Sequence, residues 1–408
     1  MIPPTGVEPE EGTALQAAFL SRSTFSKLFS CQPCKSLGPP SIEKKGITMK
    51  RRAFMKGAAA TGLAGAATSG FAAPAISQGR MEWRMVTAWP KNFPGLGTAA
   101  ELLAESITKG TDGRLSVRVY GAGEIVPAFE SLDAVASGTV EMGHGAPYYW
   151  KGKLAAAQFL TAFPFGLIAQ EQNAWFQWGG GQEIADEIYA ELGCKFFPCG
   201  NTGTQMGGWF NKEINDLEDY KGLKMRMPGL GGEVIKAAGA NVVNLPGAEI
   251  PPALQSGAID ATEWVGPYND LAFGLYKSAK FYYYPGWQEP CATLDNFINR
   301  AAWEKLPGDI QAVIAAANGA INQQVLSEFV ARNNTSLRTL IDEHDVSLKK
   351  FPDAVLKGLA GLSDDVMNDL ASRDPLSRKV MNSMLSFRKD VSAWTAIAET
   401  AMSKARFL

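Results

Sequence analysis

The sequence predicts an α/β protein of two lobes around a cleft, followed by a C-terminal region of long helices. Strand and helix patterns alternate over residues 82–144 and alternate again over residues 195–264. Strands separated by helices are typical of parallel sheets in α/β domains. Residues 302–347 and 353–408 show helical spacing without a strand pattern. We expect these helices to brace the lobes or to join subunits, and a chain of 408 residues is long enough for more than one domain.

The first series contains three predicted strands and two helices. The strands are EWRMVTAW (82–89), the alternating RLSVRVY (114–120) and the short run 140–144, and apolar residues at helical spacing occupy 96–109 and 128–137 between them. We assign this series to lobe 1, which is mainly residues 76–200.

The second series has a similar alternation, but no repeat at the level of residues relates it to the first. Its predicted strands are 195–199, 206–212, 223–228, 241–246 and 260–264, and its helices are 231–240 and 249–258. We assign residues 201–300 mainly to lobe 2 and residues 301–408 to a helical bracing and dimerisation region.

The N-terminal part has the pattern of an export signal. KRRAFMK (50–56) has paired arginines and is followed by an uncharged stretch rich in Ala and Gly. This combination resembles a twin-arginine signal over residues 49–75. The small residues Ala73 and Ala75 favour cleavage near Ala75. The alternative is a transmembrane anchor, which the weakly apolar stretch does not favour.

Residues 1–48 precede the expected start of that signal. We expect Met49 to be the true initiator and residues 1–48 to be a mis-annotated upstream extension. This segment contains Cys31 and Cys34, but a single CxxC pair outside a βαβ pattern is a weak indication of redox or metal chemistry. We assign no function to it.

The remaining chain is acidic. Of the 39 Lys and Arg and the 41 Asp and Glu, nine and four respectively precede residue 76, which leaves 30 basic and 37 acidic residues. No basic run is visible, so we expect no nucleic-acid partner. Cys194 and Cys199 lie in one predicted strand about 16 Å apart, which is too far for a disulfide.

The sequence offers little for catalysis. Its two histidines are His144, at the end of a predicted strand, and His344, in a charged helical stretch typical of a solvated residue. No GxSxG motif accompanies them, and no His and Cys have the spacing of a zinc site. Gly121 and Gly123 lack the third glycine of a dinucleotide-binding loop. Polar residues at strand ends, among aromatic residues and glycines, are instead typical of a small-molecule binding cleft.

Four stretches of the chain occur in an order that resembles one receptor family. They are GNTGTQMGGWFNKEI (200–214), LEDYKGLKMRMPGLGGEV (217–234), ALQSGAIDATEWVGPYND (253–270) and PGWQEP (285–290). Over residues 82–400 the chain resembles the solute receptors of tripartite ATP-independent periplasmic (TRAP) transporters. TEWVGPYND and WQEP are most similar to the subgroup that binds 2-oxo acids or lactate with a cation. The resemblance implies the two-lobed periplasmic binding protein fold with a hinge, and a receptor in the periplasm that is not an enzyme.

The resemblance also implies a role for each matching residue. Arg226 matches an arginine that grips the substrate carboxylate through two parallel hydrogen bonds, which a lysine does not reproduce. The implied substrate-binding residues are Gln205, Arg226, Tyr149, Trp264 and Glu289, with Tyr149 favoured within an aromatic loop formed by Tyr148, Tyr149 and Trp150. The implied cation ligands are Gln205, Glu263, the main-chain oxygen of Trp264, and Glu289.

Taken singly, these residues indicate something else. An arginine in an amphipathic strand is typical of a surface ion pair, and isolated glutamates such as Glu263 and Glu289 are typically solvated. Trp264 and Trp287 would ordinarily be core residues. The binding role is favoured because all four stretches occur together and in order.

Charge explains why a cation is expected. Glu263, Glu289 and a substrate carboxylate would bring three negative charges to a site lined by aromatic residues, with Arg226 as its one basic group. Such charges either take up protons or repel the ligand. Na⁺ would leave one negative charge in excess and Ca²⁺ would leave none, and an all-oxygen ligand set suits these hard cations. The sequence does not distinguish the two ions.

The sequence and the resemblance also predict the partners of the receptor. We expect the ligand to be delivered to membrane subunits of a transporter, and the sequence leaves open which carboxylate it is. Apolar residues at near-helical spacing over 377–407, together with the subunit-crossing helix of the resembling family, predict a homodimer. A periplasmic metal-dependent lyase acting on an oxo acid is the alternative, which turnover of a bound ligand would distinguish. A sensory domain would differ only in its partner.

Overall fold

Two β-sheets organise residues 79–408, which are the residues that the computed structural model of the protein describes. Each sheet forms the centre of one lobe, and helices cover both, so the predicted α/β class is confirmed. The predicted export signal and the residues before it lie outside the described range.

Eleven strands and thirteen α-helices occur within residues 79–408. The strands are β1 (Met81–Thr87), β2 (Leu115–Tyr120), β3 (Met142–Gly145), β4 (Cys194–Asn201), β5 (Gly208–Phe210), β6 (Lys224–Arg226), β7 (Asn241–Val243), β8 (Ala261–Thr262), β9 (Phe281–Tyr284), β10 (Thr293–Asn299) and β11 (Ser347–Lys350). The helices are α1 (Gly97–Gly110), α2 (Ser131–Ala136), α3 (Gln158–Thr161), α4 (Ala169–Trp178), α5 (Gly181–Ala190), α6 (Gly229–Ala237), α7 (Ile250–Gln255), α8 (Pro267–Phe273), α9 (Arg300–Glu304), α10 (Gly308–Asp342), α11 (Asp353–Arg373), α12 (Pro375–Thr395) and α13 (Ala401–Ala405).

The lobe 1 sheet has the strand order β2–β1–β3–β10–β4. Strand β1 is parallel to β2 and to β3, as the alternation of strands and helices predicts. Strand β10 lies antiparallel between β3 and β4. Helix α1 packs on β2 through a buried face that repeats at helical spacing, with Ala100, Leu103, Ala104 and Ile107 at 4% exposure or less.

The lobe 2 sheet has the strand order β11–β9–β5–β8–β6–β7. Strand β6 lies next to the edge strand β7 and is parallel to both β7 and β8. Strand β5 is antiparallel to β8 and β9, and β11 is parallel to β9. The elements without a counterpart in the sequence prediction are strands β9, β10 and β11 and helices α3, α4, α5 and α8.

The chain crosses between the lobes more often than a simple division of the sequence suggests. It leaves lobe 1 through residues 202–207, between β4 and β5, and returns through residues 285–292, between β9 and β10. Strand β10 therefore belongs to the lobe 1 sheet although it precedes residue 300, and β11 belongs to the lobe 2 sheet although it follows it. The two crossing segments are the natural hinge, and the site described below includes residues of both.

Helix α10 connects the lobes a third time. Its 35 residues extend over about 52 Å. It packs on β4 in lobe 1 and on α8 in lobe 2, where Asn333 Oδ1 accepts the N–H of Tyr268 at 3.0 Å. No helix within residues 79–408 has the length and apolarity needed to cross a membrane.

The last helices cover both lobes. Helix α11 packs on α6 of lobe 2, and α12 packs on α4 and α5 of lobe 1. The turn between them is encoded by Asp374, whose carboxylate caps α12 at the Ser377 N–H, and by Pro375 at the first helical position. Trp394 in the last turn of α12 is 63% exposed, and Ile397 just beyond the helix is 73% exposed.

Candidate functional site

Four predicted site residues meet between the lobes, and each comes from a different segment. Arg226 ends β6 and Glu263 follows β8, while Gln205 and Glu289 lie in the two crossing segments. Parallel pairing of Arg226 with Thr262 brings the next residue, Glu263, beside the arginine, and the Glu263 N–H donates to the Arg226 carbonyl at 3.0 Å. Main-chain bonds also join the crossing segments, because the Gln205 N–H donates to the Glu289 carbonyl at 3.1 Å.

All four side chains are buried. Arg226 and Glu263 are fully buried, and Gln205 and Glu289 are 3% exposed. The surface ion pair and the solvated glutamates that these residues would indicate singly are therefore wrong for this chain. Burying charged and polar groups costs free energy unless they are paired. A buried polar atom without a hydrogen-bond partner in the protein therefore points to a missing ligand or ion.

Arg226 is held on one side and free on the other. Its Nη1 donates to the main-chain oxygen of Glu263 at 2.6 Å and to Glu263 Oε2 at 3.3 Å, and its Nε donates to the Leu245 carbonyl at 3.3 Å. Its Nη2 is buried without a hydrogen-bond partner in residues 79–408. A guanidinium fixed in this way presents an unused NH₂ group, from which a carboxylate can accept hydrogen bonds.

Three buried oxygens complement this donor. Glu263 Oε1, Glu289 Oε2 and Gln205 Oε1 have no hydrogen-bond partner among the described residues. Gln205 is oriented by its amide nitrogen, which donates to Thr202 Oγ1 at 3.1 Å and so leaves the oxygen unpaired. Carboxylate and amide oxygens of this kind fit the ligand preferences of hard cations such as Na⁺ and Ca²⁺.

The pKa shifts of the two glutamates also favour a bound cation. Burial, and then the neighbouring Glu289, raise the pKa of Glu263 well above its usual range, although Arg226 opposes the shift. Burial also raises the pKa of Glu289, again against Arg226. Both shifts mean that one arginine does not compensate two buried carboxylates, so a further positive charge would stabilise their ionised forms.

Aromatic side chains enclose the cluster. Trp264 lies over the Arg226 guanidinium, with 5.1 Å between Cζ and the ring centroid. Across the cleft its ring centroid is 6.3 Å from those of Trp89 and Phe93, which belong to lobe 1. Trp287 is buried against Phe165 at a centroid distance of 5.7 Å. The core packing that Trp264 and Trp287 indicate singly is thus found for both, and Trp264 also lies at the candidate site.

The predicted aromatic loop is a short helical turn, Pro147–Trp150. Tyr148 and Tyr149 line a narrow cavity of only about 10 Å³. Trp150 points into lobe 1, where its indole donates to Asp295 Oδ2 at 3.0 Å. Tyr148 also packs on lobe 2 at Gly229, where a Cβ atom would lie 3.0 Å from the tyrosine ring and where the backbone has φ +58°. Glycine is needed at that position for both reasons.

The cavity also reveals residues that the sequence analysis did not single out. Its lining is formed by Trp89, Leu96, Tyr148, Tyr149, Thr202, Gln205, Trp264, Val265, Ala292 and Leu294. Trp89 follows β1, and Thr202 precedes Gln205 in the stretch already matched. Both follow the rule that ligand-binding residues lie beyond the carboxyl ends of strands, which could have identified them.

His144 is not a free base in the cleft. Trp89 Nε1 donates to His144 Nδ1 at 2.9 Å, and His144 Nε2 lies 2.9 Å from the Cys199 carbonyl. Both ring nitrogens are therefore engaged, and burial lowers the pKa of His144 to about 4. The neutral ring holds Trp89 at the cavity wall. Cys194, Cys199 and Cys291 are buried and free.

Comparisons with known proteins agree with this architecture. Residues 85–374 match the family described as bacterial extracellular solute-binding protein, family 7. A monocarboxylate 2-oxoacid-binding periplasmic protein of Nostoc sp. is 44% identical over 319 residues, which are 78% of this chain and 87% of that protein.

Two solved structures have the same fold. A TRAP periplasmic solute-binding protein from Pseudoalteromonas atlantica, with bound sodium and pyruvate, is 41% identical and has a TM-score of 0.78, over 80% of this chain and 99% of the other. A TRAP transporter solute-binding protein from Bordetella bronchiseptica is 37% identical with a TM-score of 0.79, over 80% and 97%. The latter is a mixed-occupancy dimer with copurified calcium and picolinate in one site and an apo second site. With this match to most of the chain, the protein belongs to family 7 of the bacterial extracellular solute-binding proteins, the solute receptors of TRAP transporters.

Proposed function

We propose that the protein is a periplasmic receptor for a small 2-oxo or 2-hydroxy monocarboxylate, bound together with Na⁺ or Ca²⁺ and passed unchanged to membrane subunits. The relatives support the ligand class, since their ligands are 2-oxo acids, pyruvate with sodium, and picolinate with calcium. The observation in this chain that carries the proposal is the buried cluster of unpaired groups: one N–H₂ of Arg226 and the oxygens of Glu263, Glu289 and Gln205.

In this proposal the substrate carboxylate binds Arg226. The guanidinium has a free Nη2 and is held by two main-chain carbonyls, so little side-chain entropy remains to be lost on binding. Trp264 covers one face of the guanidinium, and Tyr149 closes the cavity from lobe 1. Gln205 and Glu289 contribute to both the substrate and the cation.

The cation binds the oxygens of Glu263, Glu289 and Gln205 and the main-chain oxygen of Trp264. Its positive charge would stabilise the ionised forms of Glu263 and Glu289, whose pKa values are raised by burial. With a substrate carboxylate in place, Ca²⁺ would make the cluster neutral and Na⁺ would leave one negative charge. A bound 2-oxo or 2-hydroxy acid has a second oxygen next to its carboxylate, which is suited to complete the cation's coordination.

No observation favours the lyase alternative. A lyase would need a base near the substrate, and the candidate histidine, His144, is engaged at both ring nitrogens. The proposed site binds and releases its ligand without a chemical step, in keeping with the receptor family.

We also propose that the receptor is a homodimer joined through its C-terminal segment. Val380 and Met384 of α12 are buried against the same chain. Leu385 and Val391 are partly buried, whereas the apolar side chains nearer the C-terminus are exposed, with Trp394 at 63%, Ile397 at 73% and Phe407 at 78%. An exposed apolar patch of this kind is typical of a protein interface. Export through the twin-arginine signal at residues 49–75 would place the dimer in the periplasm.

The proposal is tested by removing the cation. Protein dialysed against a chelator in sodium-free potassium buffer should lose measurable pyruvate binding in calorimetry and regain it on addition of NaCl or CaCl₂. Pyruvamide, which lacks the carboxylate, is the matched control ligand and should not bind under any of these conditions. Stripped protein that binds pyruvate as tightly as the untreated protein would contradict the site.

A further inference from the structure

A further buried carboxylate, Asp270, lies near the proposed ligand set, close enough to contribute to the raised pKa of Glu263. Asp270 is 1% exposed, and each of its oxygens accepts two hydrogen bonds. Oδ1 accepts the main-chain N–H groups of Val265 at 3.3 Å and Gly266 at 3.2 Å. Oδ2 accepts the indole N–H of Trp209 at 2.9 Å and the hydroxyl of Tyr282 at 2.7 Å. Asp270 is thus tied both to the lobe 2 sheet and to one particular loop.

That loop carries two of the proposed cation ligands. Glu263 and Trp264 directly precede Val265 and Gly266, and β8 ends at Thr262, so sheet pairing does not continue through the loop. The Glu263 N–H is bonded to Arg226 at the start of the loop, and Asp270 holds the N–H groups at its end. Since Trp209 and Tyr282 lie on β5 and β9, Asp270 attaches the loop to the rigid part of the lobe.

We propose that Asp270 is a positioning residue for the cation site, which it serves by fixing the main chain between Trp264 and Gly266. The carbonyl of Trp264 and the side chain of Glu263 are thereby preset for the cation before it binds. The inference rests on the proposed function, because it requires a cation at these ligands. Outer groups that orient metal ligands contribute to affinity even though they do not touch the metal.

Lobe 1 contains a matched carboxylate. Asp295 is fully buried, and its Oδ2 accepts the indole N–H of Trp150 at 3.0 Å and the hydroxyl of Tyr189. The pair of donors is the same as at Asp270, but no segment with proposed cation ligands is attached to it. Asp295→Asn therefore reproduces the loss of a buried carboxylate without the proposed positioning effect.

Asp270→Asn is the informative variant because it keeps the size of the side chain. Its amide NH₂ must replace either the oxygen that faces Val265 and Gly266 or the oxygen that faces Trp209 and Tyr282. The new NH₂ group then faces other N–H donors on that side. Either the loop at Val265 and Gly266 moves away, or the Trp209 indole N–H loses its acceptor. Tyr282→Phe removes one bond to Oδ2 and leaves both main-chain bonds in place, which makes it the control within the same cluster.

The experiment is a CaCl₂ titration of the stripped full-length protein in sodium-free buffer, followed by a pyruvate titration at saturating CaCl₂. Asp270→Asn should weaken Ca²⁺ binding roughly tenfold or more, and saturating CaCl₂ should restore wild-type pyruvate affinity. Tyr282→Phe and Asp295→Asn should keep the wild-type Ca²⁺ affinity. In the wild-type protein, hydrogen exchange at the Val265 and Gly266 amides should be slow before any cation is added.

Several results would contradict the positioning role of Asp270. Wild-type Ca²⁺ affinity in Asp270→Asn, an equal loss in either control, or pyruvate binding that saturating CaCl₂ does not restore would overturn the positioning role. So would fast exchange of the Val265 and Gly266 amides that slows only after CaCl₂ is added, a readout that holds even if the variant does not fold. Wild-type protein that binds pyruvate without any cation would overturn the cation site itself, and this inference with it.

Discussion

Replacing Arg226 with lysine tests the centre of the site, since it keeps the positive charge and removes the guanidinium fork. Arg226 is fully buried, and three of its hydrogen bonds hold it to Leu245 and Glu263 while Nη2 stays free. A lysine has a single ammonium group on a flexible stem. It can pair with Glu263 or with a ligand carboxylate, but it cannot keep both in the geometry of the arginine.

The expected loss of pyruvate affinity follows from the number of hydrogen bonds that the lysine cannot form. A hydrogen bond to a charged group contributes about 1.5–3 kcal/mol. Loss of one such bond to the ligand corresponds to a pyruvate Kd that is about 10- to 150-fold higher. The charge of the site does not change, so Ca²⁺ binding in the absence of pyruvate should be nearly unaffected. The variant also leaves the Leu245 carbonyl without its donor, which should lower the melting temperature.

Calorimetry at saturating CaCl₂ measures the pyruvate Kd, and circular dichroism checks the fold. Arg114→Lys is the matched control, because Arg114 forms an ion pair with Asp309 that is partly exposed and outside the site. It should bind pyruvate like the wild type. A folded Arg226→Lys protein with wild-type pyruvate affinity would refute the assignment of Arg226 as the carboxylate-binding group.

Four further predictions test other parts of the molecule. Glu263→Gln should weaken both pyruvate affinity and its dependence on added cation in the same titrations; an unchanged cation dependence would contradict the ligand role. Replacing Arg51 and Arg52 with lysine should leave the protein in the cytoplasm on cell fractionation, whereas normal periplasmic accumulation would argue against the twin-arginine signal. Trp394→Glu should shift the mass in light scattering from dimer to monomer, and a wild-type protein that is already monomeric at micromolar concentration would contradict the dimer. His144→Gln should remove a source of acid sensitivity: the folded pKa of about 4 is below the unfolded value of 6.5, so the wild type loses stability as pH falls from 6.5 to 4, by about 3 kcal/mol at the lower limit. Chemical denaturation at several pH values measures this loss, and parallel curves for the two proteins would show that His144 does not contribute.

The lobes were predictable where the pattern of the sequence is local. Strands β1, β2 and β3 alternate with helices, and their parallel pairing follows from that order. Strand β10 was not predictable in this way, because it inserts antiparallel between β3 and β4, which precede it by about a hundred residues or more. Such long-range pairing has no local signal. The tyrosines of β9 have a β-favouring composition, but they were considered with the site and not as a strand.

For the site, several residues were predictable from the sequence, but the contacts between them were not. Arg226, Glu263, Gln205 and Glu289 were selected through the resemblance, and the structure brings them into one buried cluster. Trp89, Thr202 and Asp270 were not selected. Thr202 orients the nearby Gln205, whereas Trp89 and Asp270 act through side-chain contacts with His144 and Trp209, which are distant in sequence. Contacts of this kind depend on the tertiary fold, and a single sequence does not contain them.

In the proposed site, the arrangement of the unpaired atoms would couple capture of a ligand to closure of the lobes. Gln205 and Glu289 lie on the crossing segments, Arg226 and Glu263 on lobe 2, and the covering Tyr149 and Trp89 on lobe 1. Each buried polar atom without a partner costs about 1–3 kcal/mol, more if it is charged. Closed lobes therefore bury several costly groups at once, and under the proposed function a carboxylate with its cation would offset that cost by pairing with all of them. Either component alone leaves part of the cluster unpaired. Closure that depends on both components would let the membrane subunits distinguish a loaded receptor from an empty one.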